Sequence, residues 1–599
     1  MEFKLPRQAK RSYAETSSGG TTHNSFTSAS PSTKRRKVQR RIQSASNEAS
    51  ELQSLRHHFE HIRILGRIQA YNQLNKDLVV APPDPLIEEF TMLDPPPDSS
   101  LKPERFTFVK ACTPVEMAHL KHFDRPIHIP DARFEPHIRK ATTIVADLLN
   151  LPEYLFFPER SALAEVKYYP NKFAGMEYAQ MGLKTRADAN DTAQSDAEDA
   201  YDRLMRGDTV HPHDVRLGGR GKITELTEDQ ARSAPPPVGR LILMMSHRDL
   251  KLCGITENQL TKAYSSDKYP IAVGQSWFHG GSTNFLARFL RFKKWACFDA
   301  KKFDSGINPW MVRIAINILR EQYYQGSDEQ YDAYWEFVFQ SLVRAPIYRD
   351  DGVRFGKEVG TTSGHSHNTL IQSIITLLLG YATFSILNPG RDEEWLRDNM
   401  HLESLGDDNI VGATDELNEW TVETVARIMW EAFRIDWGGK KSFATTRLLD
   451  PSPGDFEGVQ FLGKYWYLAD YPSEERVTKV PLPYRPVRET YLRLLYPEYG
   501  SLEPEQTYLR VLGNYLDAAG NRAMEDWLQR LMDWLDDRVQ EVPSEWPANF
   551  KRMVSRDYSN VGVDVPRPQR LEFAQWRDLV VMDRVDYRKK WTAGAEQVM

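Results

Sequence analysis

The sequence predicts an α+β fold, and three kinds of pattern indicate it. Short apolar runs bounded by turn residues, such as Arg240–Met245 and Trp295–Phe298, are typical of strands. The apolar run from Ile374 to Leu387 is longer and indicates a buried helix, and helical periods with several tryptophans follow Pro472. A chain of 599 residues is long enough for about four domains or for one large multi-lobed enzyme.

Charge and cysteine content narrow the class of protein. The 77 Lys and Arg residues against 83 Asp and Glu residues leave a net charge of −6, which argues against a uniformly basic nucleic-acid coat but is compatible with a local basic groove. Cys112, Cys253 and Cys297 lie far apart, so we expect neither a disulfide framework nor a cysteine zinc site. This cysteine content fits a reducing compartment. The run 374–387 is shorter than the ~20 residues that span a bilayer, so we expect no membrane contact.

Three segments outside the main motifs carry their own expectations. Residues 1–50 are rich in Ser and Thr and predict a disordered tail, whose basic run Lys34–Arg41 is an RNA-tethering arm, a nuclear-import signal or only a solvated segment. The acidic stretch Asp188–Arg206 predicts a surface excursion, and Arg216–Lys222 predicts a Gly-rich basic loop. The tryptophans after Pro472 are expected to pack in a core.

Acidic residues follow two of the predicted strands. Asp299 comes where the strand Trp295–Phe298 ends, although a single Asp there is usually a cap or a turn residue. The segment from His401 to Ala413 predicts a strand, a tight turn and a second strand, with Gly406-Asp407-Asp408 in the turn. Two adjacent acids at the tip of an apolar hairpin repel each other and need a cation to offset them.

A polar loop opens into the long apolar helix. The loop Gly360–His367 is small and flexible, and the helix is predicted near residues 368–387. Such a loop is suited to binding a sugar or phosphate, and equally to capping an ordinary helix N-terminus. If the strand ends that carry Asp299 and Asp407 are neighbours, the two carboxylates can hold two Mg²⁺ ions about 3.5–4 Å apart.

The order of these motifs resembles the palm of viral RNA-dependent RNA polymerases. Its elements are Asp299-x4-Asp304, Ser363-Gly364 before a helix, and Gly406-Asp407-Asp408. More narrowly, the segment 360–373 looks like the version found in partitiviruses, double-stranded RNA viruses of fungi and plants, as do the segments 171–175, 246–249 and 269–280. The resemblance covers about residues 165–470.

This resemblance implies a right-hand polymerase with an antiparallel-sheet palm and mainly helical fingers and thumb. The implied divisions are a basic tail (1–50), an N-terminal arm with fingertips (51–165), fingers (166–290), a first palm segment (291–310), a fingers insertion (311–360), the rest of the palm (361–470) and a helical thumb with the C-terminal region (471–599). A reverse transcriptase, whose palm is similar, is the runner-up, but the resemblance implies an aromatic residue at position 304 in that class, and this chain has Asp304. A non-enzymatic RNA-packaging protein with a degenerate palm is a further alternative.

The resemblance also implies roles for individual residues. Asp299 and Asp407 would be ligands of two Mg²⁺ ions, with Mn²⁺ as an alternative ion and Asp408 supporting the site; Lys440 or Lys441 would be the general acid. The remaining implied contacts are with nucleotide and ribose (Asp304, Ser363, Gly364, Asn368, Thr369 and Gln372), with the triphosphate (Arg240, Arg248 and Lys251) and with the primer end (Gly463 and Lys464). The common viral pattern has Thr at position 368 and Asn at 372, so the reach of Gln372 to Asp304 is an open question.

The implied partners are template RNA, the nascent strand, nucleoside triphosphates and the viral capsid protein, with no membrane. The implied location is the host cytoplasm, inside the virion, while nuclear import through Lys34–Arg41 stays open. His365 and His367 have the spacing of a metal pair, but the sequence places no third ligand beside them, so we expect a structural role.

Overall fold

A computed structural model describes residues 49–232, 235–450, 452–453, 458–472, 476–498, 503–547 and 568–591. The predicted basic run Lys34–Arg41 lies outside the described residues. The chain divides into two units, Met1–His58 and Phe59–Met599. In the first unit the described residues form a helix over 49–58.

The second unit mixes helices and strands, as the predicted α+β class requires. Its strands are β1 (Arg63–Arg67), β2 (Val80–Ala81), β3 (Phe106–Val109), β4 (Val215–Arg220), β5 (Lys222–Glu225), β6 (Arg240–Met244), β7 (Lys294–Cys297), β8 (Ile347–Tyr348), β9 (Val353–Gly356), β10 (Met400–Leu405), β11 (Asp408–Ala413), β12 (Phe443–Thr445), β13 (Tyr465–Pro472) and β14 (Val477–Tyr484). Its helices are α1 (Pro85–Leu93), α2 (Thr113–Leu120), α3 (Glu135–Leu148), α4 (Met176–Ala179), α5 (Asn190–Met205), α6 (Glu228–Arg232), α7 (His247–Tyr264), α8 (Gly281–Ala287), α9 (Phe303–Gly306), α10 (Pro309–Arg320), α11 (Asp332–Val343), α12 (Asn368–Leu387), α13 (Glu393–Asn399), α14 (Val422–Phe433), α15 (Val487–Leu495), α16 (Pro504–Ala518), α17 (Arg522–Asp536), α18 (Phe573–Val581) and α19 (Arg584–Trp591).

A four-stranded antiparallel sheet, which we call the central sheet, has the order β10-β11-β7-β12. β10 and β11 form the predicted hairpin, in which Leu405 pairs with Asp408. Gly406 in the turn has a φ of +63°, a conformation that favours glycine. Because Val411 of β11 pairs with Ala296 of β7, the hairpin tip lies beside the end of β7.

Helix α12 is the core helix of this unit, as predicted. It is apolar nearly all round and packs against α3, α10, α14 and β10. By length and composition alone it is the one described helix that would pass for a membrane span, but 89% of its most apolar window is buried inside the protein. A helix that is apolar on every side and surrounded by protein is a core helix.

The remaining strands form three further sheets. A five-stranded sheet has the order β1-β9-β8-β4-β6, a three-stranded sheet has the order β2-β3-β5, and β13 pairs with β14. The helices that follow β14 enclose a separate apolar cluster in which Trp527 and Trp576 are fully buried. The prediction that these tryptophans pack in a core is confirmed for both.

Two sequence predictions about this unit are wrong. The stretch Asp188–Arg206 is no surface excursion, because α5 buries an alanine-rich face that ends in Tyr201 and Leu204. In the sequence the apolar periodicity of this helix is weak, because its buried face consists mainly of alanines among many acidic residues. Arg216–Lys222 is no loop, since β4 runs through it to Arg220 and β5 begins at Lys222. Its glycines allow close packing, because a Cβ at Gly218 would come within 2.6 Å of Met244 Cε.

Candidate active site

The ends of β7 and β11 are joined by one buried side chain. Asn409 Nδ2 donates a hydrogen bond to the carbonyl of Phe298 at 2.9 Å, and the Phe298 N–H donates to Asn409 Oδ1 at 3.1 Å. Asn409 is fully buried, and this pair of hydrogen bonds extends the strand pairing past the last paired residues. Asp299 and Asp408, one step further along each strand, are thereby held at the same edge of the central sheet. Sequence reasoning gave Asn409 no role at the site, although the sequence shows an amide directly after two acids.

The acids at this edge interact electrostatically. Protein around the Asp407 carboxyl raises its pKa to about 6, and the neighbouring Asp304 and Asp299 contribute to this rise. Burial raises the pKa of Asp408 to about 7, and the adjacent Asp407 raises it further. Among the described residues, none of these four carboxylates forms an ion pair with a Lys or Arg. The site therefore concentrates negative charge that the described chain does not neutralise by direct contact.

The segment Gly438–Lys441 passes directly over Asp299. The Gly439 N–H donates to the Asp299 carbonyl at 2.9 Å, and a Cβ on Gly439 would collide with the Asp299 carboxylate. The Asp299 N–H donates to Ser442 Oγ at 2.8 Å. Lys441 pairs with Glu489 at 2.9 Å, while the Lys440 side chain is exposed. The structure brings the segment that carries both predicted general acids beside Asp299.

A tight turn after the central sheet holds Asp408. Leu462 and Gly463 both have positive φ, and their turn is closed by paired backbone hydrogen bonds between Phe461 and Lys464. The Leu462 N–H donates to Asp408 Oδ2 at 2.9 Å. The predicted primer-contact residues Gly463 and Lys464 thus lie beside the hairpin tip. The Lys464 ammonium, however, is buried and turned towards Asp517.

Helix α12 holds the hairpin turn from the other side. Ser373 Oγ accepts a hydrogen bond from the Gly406 N–H at 2.8 Å, and Thr376 Oγ1 donates to the Gly406 carbonyl at 2.7 Å. These hydroxyls lie three positions apart on the helix and therefore face the same way. Sequence reasoning missed both residues, although two hydroxyls at that spacing inside an apolar helix were a usable signal.

Gln372 reaches Asp304, which resolves the question left by the sequence. Gln372 Nε2 donates to Asp304 Oδ1 at 2.7 Å and to Thr361 Oγ1 at 3.0 Å. Burial raises the pKa of Asp304, and the hydrogen bond from Gln372 opposes that rise. One turn earlier Asn368 is 9% exposed, and its Oδ1 has no hydrogen-bond partner among the described residues. The neighbouring Thr369 is exposed.

Ser363 and Gly364 bind the loop to strand β6. Ser363 Oγ accepts from the Leu243 N–H at 3.1 Å, and the Gly364 N–H donates to the Leu243 carbonyl at 3.1 Å. A Cβ on Gly364 would collide with that carbonyl, which explains the glycine. The Ser363 hydroxyl is therefore used by β6, and the described contacts do not join it to Asp304.

The predicted triphosphate-binding residues separate into two groups. Arg240, exposed at the start of β6, lies close enough to Asp304 and Asp407 for its positive charge to lower the pKa of both. Arg248 instead donates to Asp249 Oδ1 and to the His211 carbonyl, at 2.8 and 2.7 Å. Lys251 is only 2% exposed and lies 5.4 Å from the Tyr168 ring centroid. The structure brings Arg240 to the acids and uses the other two cations elsewhere.

The sequence expectation that no third metal-type ligand lies beside His365 and His367 is wrong. Cys253 of α7 approaches both, with ligand atoms within 4.8 Å of one another. Hydrogen bonds nevertheless account for His365. Its Nδ1 accepts the His367 N–H at 3.1 Å, so in the neutral ring the proton lies on Nε2, which donates to Ser341 Oγ at 2.8 Å. Burial keeps the pKa of both histidines low, which favours this neutral form.

The comparisons with known proteins agree with this geometry. Residues 252–467 match a family model described as viral RNA-dependent RNA polymerase. None of the curated proteins compared matches the chain. The matched segment contains all four carboxylates of the site, the Ser363–Gly364 loop and helix α12. The resemblance to viral RNA polymerases is thereby confirmed at this level, and neither alternative, a reverse transcriptase or a packaging protein, gains support. The chain carries a viral RNA-dependent RNA polymerase domain and is an RNA-directed RNA polymerase, a nucleotidyltransferase.

Proposed function

We propose that this polymerase replicates and transcribes a double-stranded RNA genome with two divalent cations held by Asp299 and Asp407. The observation that carries the proposal is the edge of the central sheet. There Asn409 fixes the end of β7 to β11, and carboxylates from both strands share one electrostatic environment without an ion-paired Lys or Arg among the described residues. Such a set of oxygen ligands suits Mg²⁺ or Mn²⁺.

The acids suit divalent cations in their exposure and in their charge. Asp407 is exposed at the hairpin tip, and Asp299 is half-buried at the strand end. The protein around Asp407 raises its pKa, repulsion from Asp304 and Asp299 adds to that rise, and a bound cation would relieve the repulsion. When bound, two divalent cations would lower the pKa of the attacking 3′-hydroxyl and stabilise charge on the leaving pyrophosphate. Asp408, held by the Leu462 N–H, would support the hairpin tip.

The chain's own cations would serve the triphosphate. The positive charge of Arg240 acts on Asp304 and Asp407, and a guanidinium fork suits phosphate oxygens. Lys440 or Lys441 would donate a proton to pyrophosphate from the segment that crosses Asp299. Gly463 and Lys464, in the turn beside the hairpin tip, would position the primer end through backbone shape, because the Lys464 ammonium is already paired.

Asp304 would bind the 2′-hydroxyl of the ribose and so distinguish ribonucleotides from deoxyribonucleotides. Gln372 occupies one of its oxygens, which leaves the second able to accept a hydrogen bond from a 2′-hydroxyl. Losing such a bond costs about 1–3 kcal/mol, or roughly ten- to a hundredfold in selectivity. We therefore expect Asp304→Ala to raise the relative use of deoxyribonucleotides by that factor in competing incorporation assays. Unchanged discrimination would remove Asp304 from the ribose site.

The wider context belongs to the same proposal. The motif order supports a right-hand arrangement with fingers from residues 166–290 and 311–360, a palm from 291–310 and 361–470, and a thumb after 471, preceded by an arm over 51–165. The segment 360–373 supports a partitivirus origin. We propose capsid protein as a partner and the virion in the host cytoplasm as the place of synthesis.

Primer extension on an RNA template with Mg²⁺ tests the proposal. The wild-type chain should extend an RNA primer with ribonucleotides, and Asp407→Ala should abolish extension. Asp470→Asn is the matched control, because Asp470 is an exposed acid on β13 paired with Lys479, and it should extend normally. Extension by Asp407→Ala at the wild-type rate would refute the assignment of the site. Preferred use of deoxyribonucleotides by the wild type would point to a reverse transcriptase.

A further inference from the structure

Lys357 is a buried cation that the mechanism above does not use. It is 1% exposed and directly follows the last residue of β9. Its ammonium donates to the Gly360 carbonyl at 2.8 Å and to the Val343 carbonyl. Among the described residues it forms no ion pair. Burying a charge with only neutral acceptors is unfavourable, so a lysine in this place needs a functional or electrostatic reason.

The contacts of Lys357 lead to Asp304 through two residues. Gly360, whose carbonyl Lys357 holds, has a φ of +77° and lies against the Asp304 carbonyl, where a Cβ would come within 2.8 Å. The next residue, Thr361, donates its N–H to the Asp304 carbonyl at 2.9 Å. The Thr361 hydroxyl also accepts from Gln372, which holds the Asp304 carboxylate. One short chain of bonds therefore runs from the ammonium to the carboxyl.

Charge links the same two residues. Burial lowers the pKa of Lys357 to about 7, and Asp304 and Glu358 oppose that fall. Glu358 is already shared by Arg63 and Arg344, at 2.8 and 2.9 Å. Lys357 in turn lowers the pKa of Asp304. Because Glu358 is already paired with two arginines, Asp304 is the acid whose negative charge Lys357 can balance.

We propose that Lys357 is a positioning residue for ribose selection: it fixes the Gly360–Thr361 peptide under Asp304 and keeps that carboxylate charged and aimed at the 2′-hydroxyl. The inference rests on the proposed role of Asp304 at the ribose. It adds a residue from outside the motifs that touch the nucleotide. It also explains why a lysine is buried at this position among neutral acceptors.

The test compares selectivity in two lysine variants. Lys357→Met removes the charge and the donors at similar length, and the measured quantity is the ratio of kcat/KM for a ribonucleotide to that for its deoxyribonucleotide. We expect this ratio to fall about tenfold. Lys294→Met is the matched control, because Lys294 also donates to a backbone carbonyl and lies over an aromatic ring, but at the opposite end of β7 from Asp299. Its ratio should stay at the wild-type value.

A merely structural role would lower the use of both nucleotides in the same proportion, and an unchanged ratio in Lys357→Met would overturn the inference. If Lys357→Met does not fold, Lys357→Gln, which keeps a donor for Gly360 but no charge, tests the charge alone, and its ratio should also fall below the wild-type value. The double variant with Asp304→Ala adds a second test, since its ratio should equal that of Asp304→Ala alone. A further fall would show that Lys357 acts independently of Asp304. Absence of primer extension by the wild type would instead refute the proposed function itself.

Discussion

Two sets of carboxylates in this chain lie beside the same tight turn and differ in charge balance. Asp517 pairs with Lys464 and Arg485, with Arg493 at 3.9 Å, and these cations hold its pKa well below the usual range. Among the described residues Asp407 and Asp408 have no ion-paired cation, and the protein around them raises their pKa values to about 6 and about 7. The turn contacts both, because the Leu462 N–H donates to Asp408 and the Lys464 ammonium pairs with Asp517.

The difference distinguishes an acid that is neutralised within the fold from acids that are available to bind a ligand. Asp517 contributes to folding because its cations come from the chain. The acids at the central sheet oppose folding until a cation from solution binds them. An acid whose cationic partners come from the chain and an acid without them are therefore expected to respond in opposite ways to substitution.

The largest effect should come from Asp407→Asn. Removing a metal ligand should lower primer extension by about a thousandfold or more, which corresponds to about 4 kcal/mol. The same change removes a repelling charge, so the variant should unfold at a higher temperature than the wild type when divalent ions are absent. Extension assays and thermal melts in chelator measure the two effects. A variant that loses both activity and metal-free stability would contradict the comparison.

Asp517→Asn should show the reverse pattern. The change leaves the buried Lys464 without its acid and the buried Arg485 with Glu489 alone, and breaking a buried pair in this way costs about 3 kcal/mol. Urea unfolding should show this loss at pH 7. Because the folded-state pKa of Asp517 is lowered, its stabilisation is present above the unfolded value of 3.8 and disappears as the pH falls below it. Asp470→Asn, at an exposed pair, should change stability by well under 1 kcal/mol.

The pH dependence of the metal-free protein should sharpen the comparison further. Raised folded-state pKa values mean that Asp407 and Asp408 hold protons that the unfolded chain has already released, so stability falls as the pH rises from about 4 to about 7. We expect a loss on the order of 1–2 kcal/mol, since Asp407 is partly screened by solvent. Mg²⁺ should therefore raise Tm more at pH 8 than at pH 5. Equal shifts at both pH values would argue that the ion binds elsewhere.

Much of this comparison was visible in the sequence, and its limits have physical causes. Strand β7, the hairpin and α12 were predicted because each depends on a local pattern of apolar and turn residues. The bond between Asn409 and Phe298 could not be predicted, since it joins segments more than a hundred residues apart. The direction in which Arg248 and Lys251 point was equally invisible, because it depends on packing around α7. Helix α5 was missed because alanines form its apolar face.

The smallest predicted effect concerns the neutral hydrogen bonds that hold the hairpin tip. Thr376→Val removes the bond to the Gly406 carbonyl and should cost about 1 kcal/mol of stability, with a several-fold loss of extension because Asp407 is less well positioned. Thr383→Val is the matched control, a fully buried threonine on the same helix whose hydroxyl contacts Met429 and not the hairpin. Both variants should be similarly stable, but only Thr376→Val should lose activity. Equal losses of activity would mean that α12 supports the site through general packing, and that the bond to Gly406 has no separate role in placing the acids.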